Sequence, residues 1–293
     1  MARQKRKIKE LPEIPDGYRP KVLLVGNGIN RSFKGAQDIA SIIQREWKNN
    51  YGTDLPEWKK GKPTHEIWEL PFPMQVVAAA KDHVQDCMSR LADVFREMDI
   101  LEAQKTFINQ TILGTGFDAI LSTNYSLEFE KSTFNKYSAQ RVQKQYKTTL
   151  DQKSQQEKFD IYRCTELPDN HRTLLWHIHG TALRKKSLIM GQLYYGNLLS
   201  EVIQRSHEVG NYYRSSRTKR QSFKPKSWID YFLISDVYIL GFGLDLSESD
   251  IWWLLSYKKS VFSEARTFYF DPNINEDSKE GLNKELFAQT LPI

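Results

Sequence analysis

The sequence predicts an α/β fold in which a mainly parallel sheet is flanked by helices. The chain has 293 residues, of which 40% are hydrophobic, enough for one large domain or two small ones with a buried core. Short apolar runs alternate with helical or mixed segments, which is typical of parallel sheets. These runs lie at residues 21–25, 117–123, 174–180, 236–243 and 265–270, with a short additional candidate strand at 186–191.

Helical patterns occupy stretches between these runs. The strand at 21–25 leads through a glycine turn into a helical stretch at 36–47, the opening strand–loop–helix unit. From Val77 to Met98, apolar residues recur at spacings of three, four and seven, which predicts one long amphipathic helix packed on the core. A further helix is expected to start near Leu127.

The elements are expected to form one domain with a segment added at each end. A basic leader precedes the domain and a short tail follows it. Stretches without a strand pattern are expected to form helical or irregular insertions. The predicted limits are 1–20 for the leader, 21–275 for the domain, about 51–110 and 133–170 for the insertions, and 276–293 for the tail.

The formal net charge of +6 is concentrated in two basic segments. Residues 1–10 carry a net charge of +4 and residues 211–226 carry +6, so the rest of the chain is mildly acidic. Basic segments can neutralise phosphates, which makes nucleic acid a candidate partner. No helix-turn-helix, zinc-finger or RNA-binding motif accompanies the charge, so a disordered tail and a solvated loop are favoured. The alternative is a strand-binding or partner-docking loop, because the segment also contains Tyr212, Tyr213 and Phe223.

Cysteine content and hydropathy exclude several classes of protein. Cys87 and Cys164 are the only cysteines and lie far apart, which argues against a disulfide framework or a thiolate zinc site. No apolar run reaches about 18 residues, so no membrane span is predicted. The N-terminus is polar and basic without the apolar core of a secretion signal, and a cytoplasmic location is expected.

The first strand ends in a glycine-containing loop. Ligands of open parallel sheets bind where the strands end at their carboxyl edge. The loop reads GNGINRSFKG, residues 26–35, and its Gly26 and Gly28 allow a tight turn and a close approach to a pyrophosphate. The dehydrogenase fingerprint Gly-x-Gly-x-x-Gly fails because position 31 is arginine. A glycine turn without a ligand is the alternative.

Polar side chains follow two further strands. Asn124, in STNYSLEFEK, is a neutral amide that can hold a ribose hydroxyl or an attacking water, although Thr123 or Asn124 could instead cap the following helix. His179, in HIHGT, lies where a general base can reach a bound sugar. His177 lies two residues earlier on the same strand face, so the pair could share a metal. No third ligand follows by spacing, and no metal site is predicted.

A fourth loop repeats the pattern of strand, glycine pair and helix. It reads GFGLDLSESD, residues 241–250, and its glycines could pass close to the second half of a dinucleotide. Ser247 and Asp250 form a capping box in front of the apolar IWWLL, which predicts the start of a helix. Each loop is a weak signal alone, and their order along the chain is the stronger signal.

In this order, the motifs GNGIN, STNYS, HIHG and GFGLDLSESD resemble the SIR2-like domains of bacterial antiphage defence proteins, which are relatives of sirtuins. The resemblance covers most of the chain. It implies a Rossmann-like fold that binds NAD⁺ and hydrolyses it to nicotinamide and ADP-ribose. NAD⁺ is then the substrate, and no other cofactor is expected.

The resemblance also assigns roles to residues of this chain. Asn124 matches the catalytic asparagine of the family, and His179 matches its catalytic histidine. The other matched positions are expected to bind the nucleotide. They are Gly26, Asn27, Gly28, Asn30, Thr123, Tyr125 and Ser126, with Gly241, Gly243 and Asp245 on the adenosine side.

Three positions depart from the family pattern. Ser126 stands where the family has the aspartate of an Asn-Tyr-Asp motif, and Asn27 and Asn30 replace a small residue and a serine. Ser126 cannot supply a negative charge to a cationic sugar, so reduced activity, or activity only after a conformational trigger, is expected. The alternative is a non-catalytic module that senses a nucleotide or serves as a scaffold in a defence complex.

The same resemblance bears on zinc and on partners. Protein-deacylating sirtuins hold zinc with four cysteines and this chain has two, so no zinc module is expected and hydrolysis is favoured over deacylation. Uncontrolled NAD⁺ destruction would kill the host cell, and the domain leaves no room for a sensor. A regulatory or sensor protein or a homo-oligomer is therefore expected, with residues 211–226 and 51–73 as candidate contacts.

Overall fold

A seven-stranded sheet forms the centre of the protein. The computed structural model describes residues 11–33, 44–45, 47–49, 52, 72–80, 83–133, 159–219, 221–245, 247–271 and 287–292. The strands are β1 (Lys21–Val25), β2 (Ala119–Ser122), β3 (Thr165–Glu166), β4 (Leu174–His177), β5 (Asp236–Leu240), β6 (Thr267–Asp271) and β7 (Gln289–Pro292). Their order is β3-β4-β2-β1-β5-β6-β7, and every neighbouring pair is parallel except β3 with β4. The predicted α/β class with a mainly parallel sheet is confirmed.

Helices flank the sheet. They are α1 (Gly28–Arg31), α2 (Phe72–Ala80), α3 (Val84–Glu97), α4 (Glu102–Thr106), α5 (Glu128–Thr133), α6 (Gln192–Thr218), α7 (Trp228–Ile234) and α8 (Ser249–Val261). A π-helical segment, Phe107–Ile112, directly continues α4. In the described part of the chain, no helix is both long and apolar enough to cross a membrane.

β1 contributes to a core on each face of the sheet. Val22 and Leu24 lie in a large core with α6, α7 and α8, whereas Leu23 and Val25 lie in a second core with the π-helical segment and α5. All four side chains are buried, which explains why KVLLV is continuously apolar rather than alternating. A third, smaller core joins α2 and α3 to Tyr125.

Three predicted strands end earlier than expected. β2, β4 and β5 stop at Ser122, His177 and Leu240, before the predicted ends at 123, 180 and 243. Gly180 and Gly241 lie just beyond two of these ends and have φ angles of 89° and 62°, a left-handed conformation that does not continue a strand. The loops that contain these motifs therefore begin earlier in the sequence than predicted.

The apolar run at 186–191 does not pair with the sheet. Lys185–Ser187 forms a single 3₁₀ turn, and Leu188 and Met190 are buried in the small core with α2 and α3. Apolar composition alone does not distinguish such a core-filling segment from a buried strand. The prediction of a strand there is wrong.

The long helix predicted from Val77 to Met98 is two helices. α2 ends at Ala80 and α3 starts at Val84, with His83 in a non-helical conformation before it. Both helices contribute to the same small core, so the apolar pattern continues across the break. The helix expected near Leu127 is confirmed as α5. Most of the predicted helix at 36–47, and the insertions over 53–71 and 134–158, lie outside the described residues.

The basic segment 211–226 begins as a helix and not as the expected loop. Residues up to Thr218 belong to α6, which has 27 residues. Tyr213 packs against Phe223 and Phe262, with ring centroids 6.1 and 5.0 Å apart, and Phe223 is buried. These rings stabilise the fold, so of the three aromatic residues proposed for docking, Tyr212 is the exposed one.

The expected leader and tail both contribute to the folded domain. Ile14 and Phe223 exchange two backbone hydrogen bonds of 2.8 Å, and the Ile14 side chain is buried in the large core. β7, from the expected tail, pairs with β6. The predicted domain limits at 21 and 275 are therefore corrected to include residues 11–20 and the strand at 289–292.

Candidate active site at the carboxyl edge of the sheet

The four sequence motifs follow four neighbouring strands. Val25 pairs with Ser122 on one side and with Leu240 on the other, and Ser122 pairs with His177. The loops after β1, β2, β4 and β5 therefore start side by side. They do so at the carboxyl edge, where open parallel sheets bind ligands.

The first and fourth loops pack against each other through glycines. The Gly28 N–H donates to the Gly241 carbonyl oxygen at 2.7 Å, and a Cβ placed on Gly26 or Gly28 would lie 2.7 or 2.6 Å from that oxygen. Real Cβ atoms essentially never come this close to another atom. Contact between the two backbones is by itself enough to require glycine at these positions.

The far end of the fourth loop is open to solvent. Gly243 and Asp245 are exposed, and a Cβ on Gly243 would meet no atom of the described residues within 4 Å. Asp245 Oδ1 accepts a hydrogen bond from the Ser247 N–H at 2.8 Å. Of the three residues predicted for the adenosine side, Gly243 and Asp245 are therefore accessible to a ligand, whereas Gly241 is half-buried against the first loop.

Asn30 lies in a network of amide side chains. Its Nδ2 donates to Asn27 Oδ1 at 3.2 Å, and its Oδ1 accepts from Gln104 Nε2 at 3.3 Å. Asn30 and Gln104 are buried and Asn27 is half-buried. The network holds the single turn of α1 against α4, and both ends of the Asn30 amide are bonded to protein.

Asn124 is held by a buried carboxylate. Its Nδ2 donates to Glu128 Oε1 at 2.6 Å and, with a longer contact, to the Gly26 carbonyl oxygen at 3.4 Å. Ser126 Oγ donates to the other carboxylate oxygen of Glu128 at 2.6 Å. Asn124, Ser126 and Glu128 are all buried, and burial raises the pKa of Glu128. One carboxylate therefore orients both polar side chains of the second loop.

Glu128 supplies the carboxyl group that position 126 lacks. The aspartate expected at 126 from the family pattern is absent, yet a carboxylate two residues further on contacts both Asn124 and Ser126. The sequence contained a signal for this, because Asn124 and Glu128 are four residues apart across a predicted helix start. The helix-cap alternative is wrong: Asn124 donates to Glu128, and Thr123 Oγ1 donates to the Val25 carbonyl oxygen at 3.3 Å.

His177 clamps the backbone of Asn124. Its Nδ1 donates to the Asn124 carbonyl oxygen at 2.9 Å, and its Nε2 lies 2.9 Å from Glu130 Oε1. Burial lowers the pKa of His177, but the charge of Glu130 and the hydrogen bonds to Glu130 and to the Asn124 carbonyl oxygen together outweigh this, so the pKa is raised overall. Because both ring nitrogens face acceptors, the doubly protonated ring fits this position. Sequence reasoning did not find this clamp or Glu130.

His179 is paired with two acidic residues of the fourth loop. Its Nε2 lies 3.0 Å from Asp250 Oδ2 and 3.7 Å from Glu248 Oε2. Only 2% of the His179 side chain and none of the Asp250 side chain is exposed. Burial lowers the pKa of His179, but the charges of Asp250 and Glu248 and the hydrogen bond to Asp250 together outweigh this, so the pKa is raised overall. Burial, with the charge of Asp250, raises the pKa of Glu248 to about 7 although His179 opposes the shift.

The two histidines of HIHGT face different partners. β4 ends at His177, and residues 178–179 form a turn, so the two-residue alternation of a strand no longer applies at His179. His177 bonds to Glu130, whereas His179 bonds to Asp250. The alternative in which the two histidines share a metal is therefore wrong.

The predicted capping box of α8 is also wrong. The residue before α8 is Glu248, with no capping bond from its side chain, and the Asp250 carboxylate turns to His179 instead. An acidic residue in the first turn of a helix is favourable for the helix dipole alone, so the sequence did not reveal this second role. Asp250 and Glu248 are functional candidates that sequence reasoning missed.

Tyr125 links the second loop to the small core. Its hydroxyl donates to the Ile189 carbonyl oxygen at 2.8 Å and lies near the Tyr195 side chain. The Tyr195 ring packs edge-on against His179, with centroids 5.3 Å apart. Tyr125, predicted to contact the nucleotide, is therefore buried and supports the surroundings of His179.

Overall, the site places one amide and one imidazole in contact with buried carboxylates. Asn124 and His179 lie on loops that follow adjacent strands, and each contacts a wholly buried carboxylate. Such an arrangement can fix a water or a hydroxyl, accept a proton, and stabilise positive charge on a ligand. No protein family and no curated protein was found to match the chain.

Proposed function

We propose that the protein is a sirtuin-like NAD⁺ hydrolase with a Rossmann-like fold, which cleaves NAD⁺ to nicotinamide and ADP-ribose. The observation that supports this most is the pairing of Asn124 and His179 with buried carboxylates at neighbouring strand ends. In a bacterial cell such an activity would serve as an antiphage effector that a partner activates.

The charge of the site suits the proposed substrate. Four carboxylates, of Glu128, Glu130, Glu248 and Asp250, face two imidazoles at this edge of the sheet. The nicotinamide of NAD⁺ is a pyridinium cation, and its departure leaves positive charge on the ribose. Preorganised negative charge away from water stabilises such a centre as it develops. When these carboxylates are ionised, they outnumber the imidazoles and favour a cationic over an anionic reacting group.

Asn124 would position the attacking water or a ribose hydroxyl. Its Nδ2 faces the Glu128 carboxylate, which accepts hydrogen bonds and cannot donate one when ionised. The amide orientation is therefore set, and Oδ1 is the atom that can accept a hydrogen bond from a water or hydroxyl. Glu128 thus acts as a positioning residue for Asn124.

His179 would take the proton released from that water. Its Nε2–H donates to Asp250, so Nδ1 is the ring nitrogen available to accept a proton; among the described residues Nδ1 has no hydrogen-bond partner. The Asp250 carboxylate stabilises the imidazolium that results. A proton-transfer role of this kind typically contributes about 10²- to 10⁴-fold to the rate.

The burial of both residues supports activation by a partner. Asn124 exposes 5% of its surface and His179 exposes 2%, so NAD⁺ reaches them only when the surrounding loops separate. A partner protein or self-assembly that opens these loops would convert a dormant enzyme into an active one.

The test is product formation by the purified chain, with and without the products of neighbouring genes. Nicotinamide and ADP-ribose are expected in equal amounts with the activating partner, and Asn124→Ala and His179→Ala should lower the rate by about 10²-fold or more. Asn211→Ala and His171→Ala, at exposed positions, are the matched controls. NAD⁺ left intact by the activated wild-type protein would refute the proposal.

A non-catalytic nucleotide sensor or scaffold is the second candidate. The observation that favours it is the buried, protein-bonded state of Asn124. On this alternative, NAD⁺ binds without release of nicotinamide, and the Asn124→Ala and His179→Ala variants keep the biological effect. The two candidates therefore differ in both measurements.

A further inference from the structure

His179, Glu248 and Asp250 form a compact group of potential metal ligands. One nitrogen or oxygen atom from each lies within 4.8 Å of the other two. One imidazole and two carboxylates form a ligand set that suits Zn²⁺ and related divalent transition metals better than Mg²⁺ or Ca²⁺, which prefer oxygen alone. The geometry thus meets the first requirement for a metal centre.

Two carboxylate oxygens of this group lack partners. Asp250 Oδ1 and Glu248 Oε2 are buried and make no hydrogen bond within the described part of the chain. Asp250 is completely buried, and Glu248 Oε2 points toward the His179 ring at 3.7 Å. Buried polar atoms without partners are rare because they lose the hydrogen bonds of water and gain none in return. This second observation indicates that the group binds something besides itself.

A divalent cation would account for both the negative charge of this group and its oxygens without partners. With a neutral imidazole, the two carboxylates carry two negative charges, which one divalent cation balances. It would also bind Glu248 Oε2, which points toward the His179 ring, and a carboxylate oxygen of Asp250. No monovalent counter-charge other than the His179 proton is in contact with this group among the described residues.

The ligands are held in place before any ion binds. The His179 carbonyl oxygen accepts from the Ile189 N–H at 2.8 Å, and the loop passes through Gly180, where a Cβ would lie 2.1 Å from the Ser187 carbonyl oxygen. Asp250 lies in the first turn of α8, and Glu248 is the residue directly before this helix. Preorganised ligands on regular elements favour tight and selective binding.

We propose that His179, Glu248 and Asp250 bind one Zn²⁺-type cation and that its binding switches the hydrolase off. The cation takes the lone pair of His179 Nε2 in place of the proton that is shared with Asp250. A neutral imidazole holds one proton, which then resides on Nδ1, so Nδ1 can no longer accept the proton of the attacking water. The switch rests on the proposed function, whereas the binding of the cation does not.

The ligands of this site are far apart in the sequence, so their spacing did not predict it. His179 and Asp250 are 71 residues apart and follow different strands, β4 and β5. No short motif joins them, and the third ligand that spacing near His177 and His179 could not supply comes from the fourth loop.

The binding test uses the full chain after treatment with a chelator, titrated with Zn²⁺ in a calorimeter. One Zn²⁺ per chain is expected, with a higher melting temperature. Glu248→Gln and Asp250→Asn should each weaken binding by about 100-fold, since even supporting groups around metal ligands contribute 10- to 100-fold. Glu97→Gln, an exposed position at the end of α3, is the matched control and should bind like wild type. Circular dichroism confirms that each variant folds.

The outcomes separate the site from the switch. No binding to wild type, or equal binding to wild type and both variants, would overturn the proposal. Binding lost in both variants supports the site, and inhibition of nicotinamide release that a chelator reverses supports the switch. Bound Zn²⁺ with unchanged nicotinamide release would overturn the switch. If no condition yields nicotinamide, the proposed function fails while the binding result still decides the site.

Discussion

The two halves of the candidate site are built in opposite ways. The Asn124 cluster (Asn124, Ser126, Glu128, Glu130 and His177) takes four of its five members from one short stretch of chain. The His179 cluster (His179, Glu248 and Asp250) joins two distant loops. Among the described residues, both oxygens of Glu128 and one oxygen of Glu130 in the first cluster have partners, whereas in the second each carboxylate has an oxygen without one.

This difference gives the two clusters different roles: the first holds a side chain in place, and the second can change its bonding. Local bonds in the Asn124 cluster fix one amide in one orientation, which is what positioning requires. The acids around His179 instead each keep one oxygen without a partner in the described part of the chain, which allows a change in bonding when a proton, a cation or a substrate arrives. Loss of a hydrogen-bonding partner in the first cluster should therefore lower stability as well as activity, whereas changes in the second should act mainly on activity and ligand binding.

The largest effect on stability is expected for His177→Ala. The change leaves the Glu130 carboxylate buried without its partner and the Asn124 carbonyl oxygen without a donor. Breaking a buried ion pair from one side typically lowers the free energy of unfolding by about 3–5 kcal/mol. Urea denaturation measures it, with the exposed His171→Ala as control. If the free energy of unfolding falls no more than in the control, His177 does not support the Asn124 cluster and the contrast between the clusters fails.

Glu128→Gln should separate the charge of Glu128 from its hydrogen bonds. The glutamine oxygen can accept from Asn124 Nδ2, and its amide can donate to Ser126 Oγ, so the fold is expected to stay within about 1 kcal/mol of wild type. Loss of the carboxylate near a cationic centre should lower nicotinamide release by about 100-fold. Steady-state rates measure this beside the exposed control Glu97→Gln. Full activity would show that Glu128 contributes bonds alone.

The pH dependence of stability tests the burial of the same carboxylate. Burial raises the pKa of Glu128 above the ordinary 4.5, so the folded state keeps a proton that the unfolded state releases. The contribution to stability is therefore complete below 4.5 and is lost as pH rises through the raised pKa. The free energy of unfolding of wild type minus that of Glu128→Gln should fall as pH increases from this point. A difference that rises instead would place a net favourable charge at Glu128.

The smallest expected difference is between two glycine substitutions, one in the first loop and one in the fourth. In Gly28→Ala the new Cβ would lie 2.6 Å from the Gly241 carbonyl oxygen, and displacing backbone there should cost about 1–3 kcal/mol of stability. Gly243→Ala faces open space and should change the melting temperature little, while it lowers NAD⁺ affinity if this loop contacts the nucleotide. Thermal denaturation and NAD⁺ titration of both variants measure this. Equal melting temperatures would contradict the packing account.

The framework of the site was predictable because strand ends are marked in the sequence. Apolar runs followed by glycine or polar residues identified β1, β2, β4 and β5, and the parallel arrangement placed Asn124 and His179 on loops after neighbouring strands. The acids were missed because each had a simpler local explanation. Glu128 starts a helix and Asp250 lies in the first turn of another, where acidic residues are favourable without any partner.

The central claim is that this edge of the sheet acts on a cationic nicotinamide. The most direct measurement compares nicotinamide release from NAD⁺ with cleavage of NADH, whose dihydronicotinamide ring is uncharged, by the activated wild-type chain. The account predicts cleavage of NAD⁺, little or none of NADH, and a smaller preference in Glu128→Gln. Equal cleavage of both dinucleotides, or of neither, would contradict it.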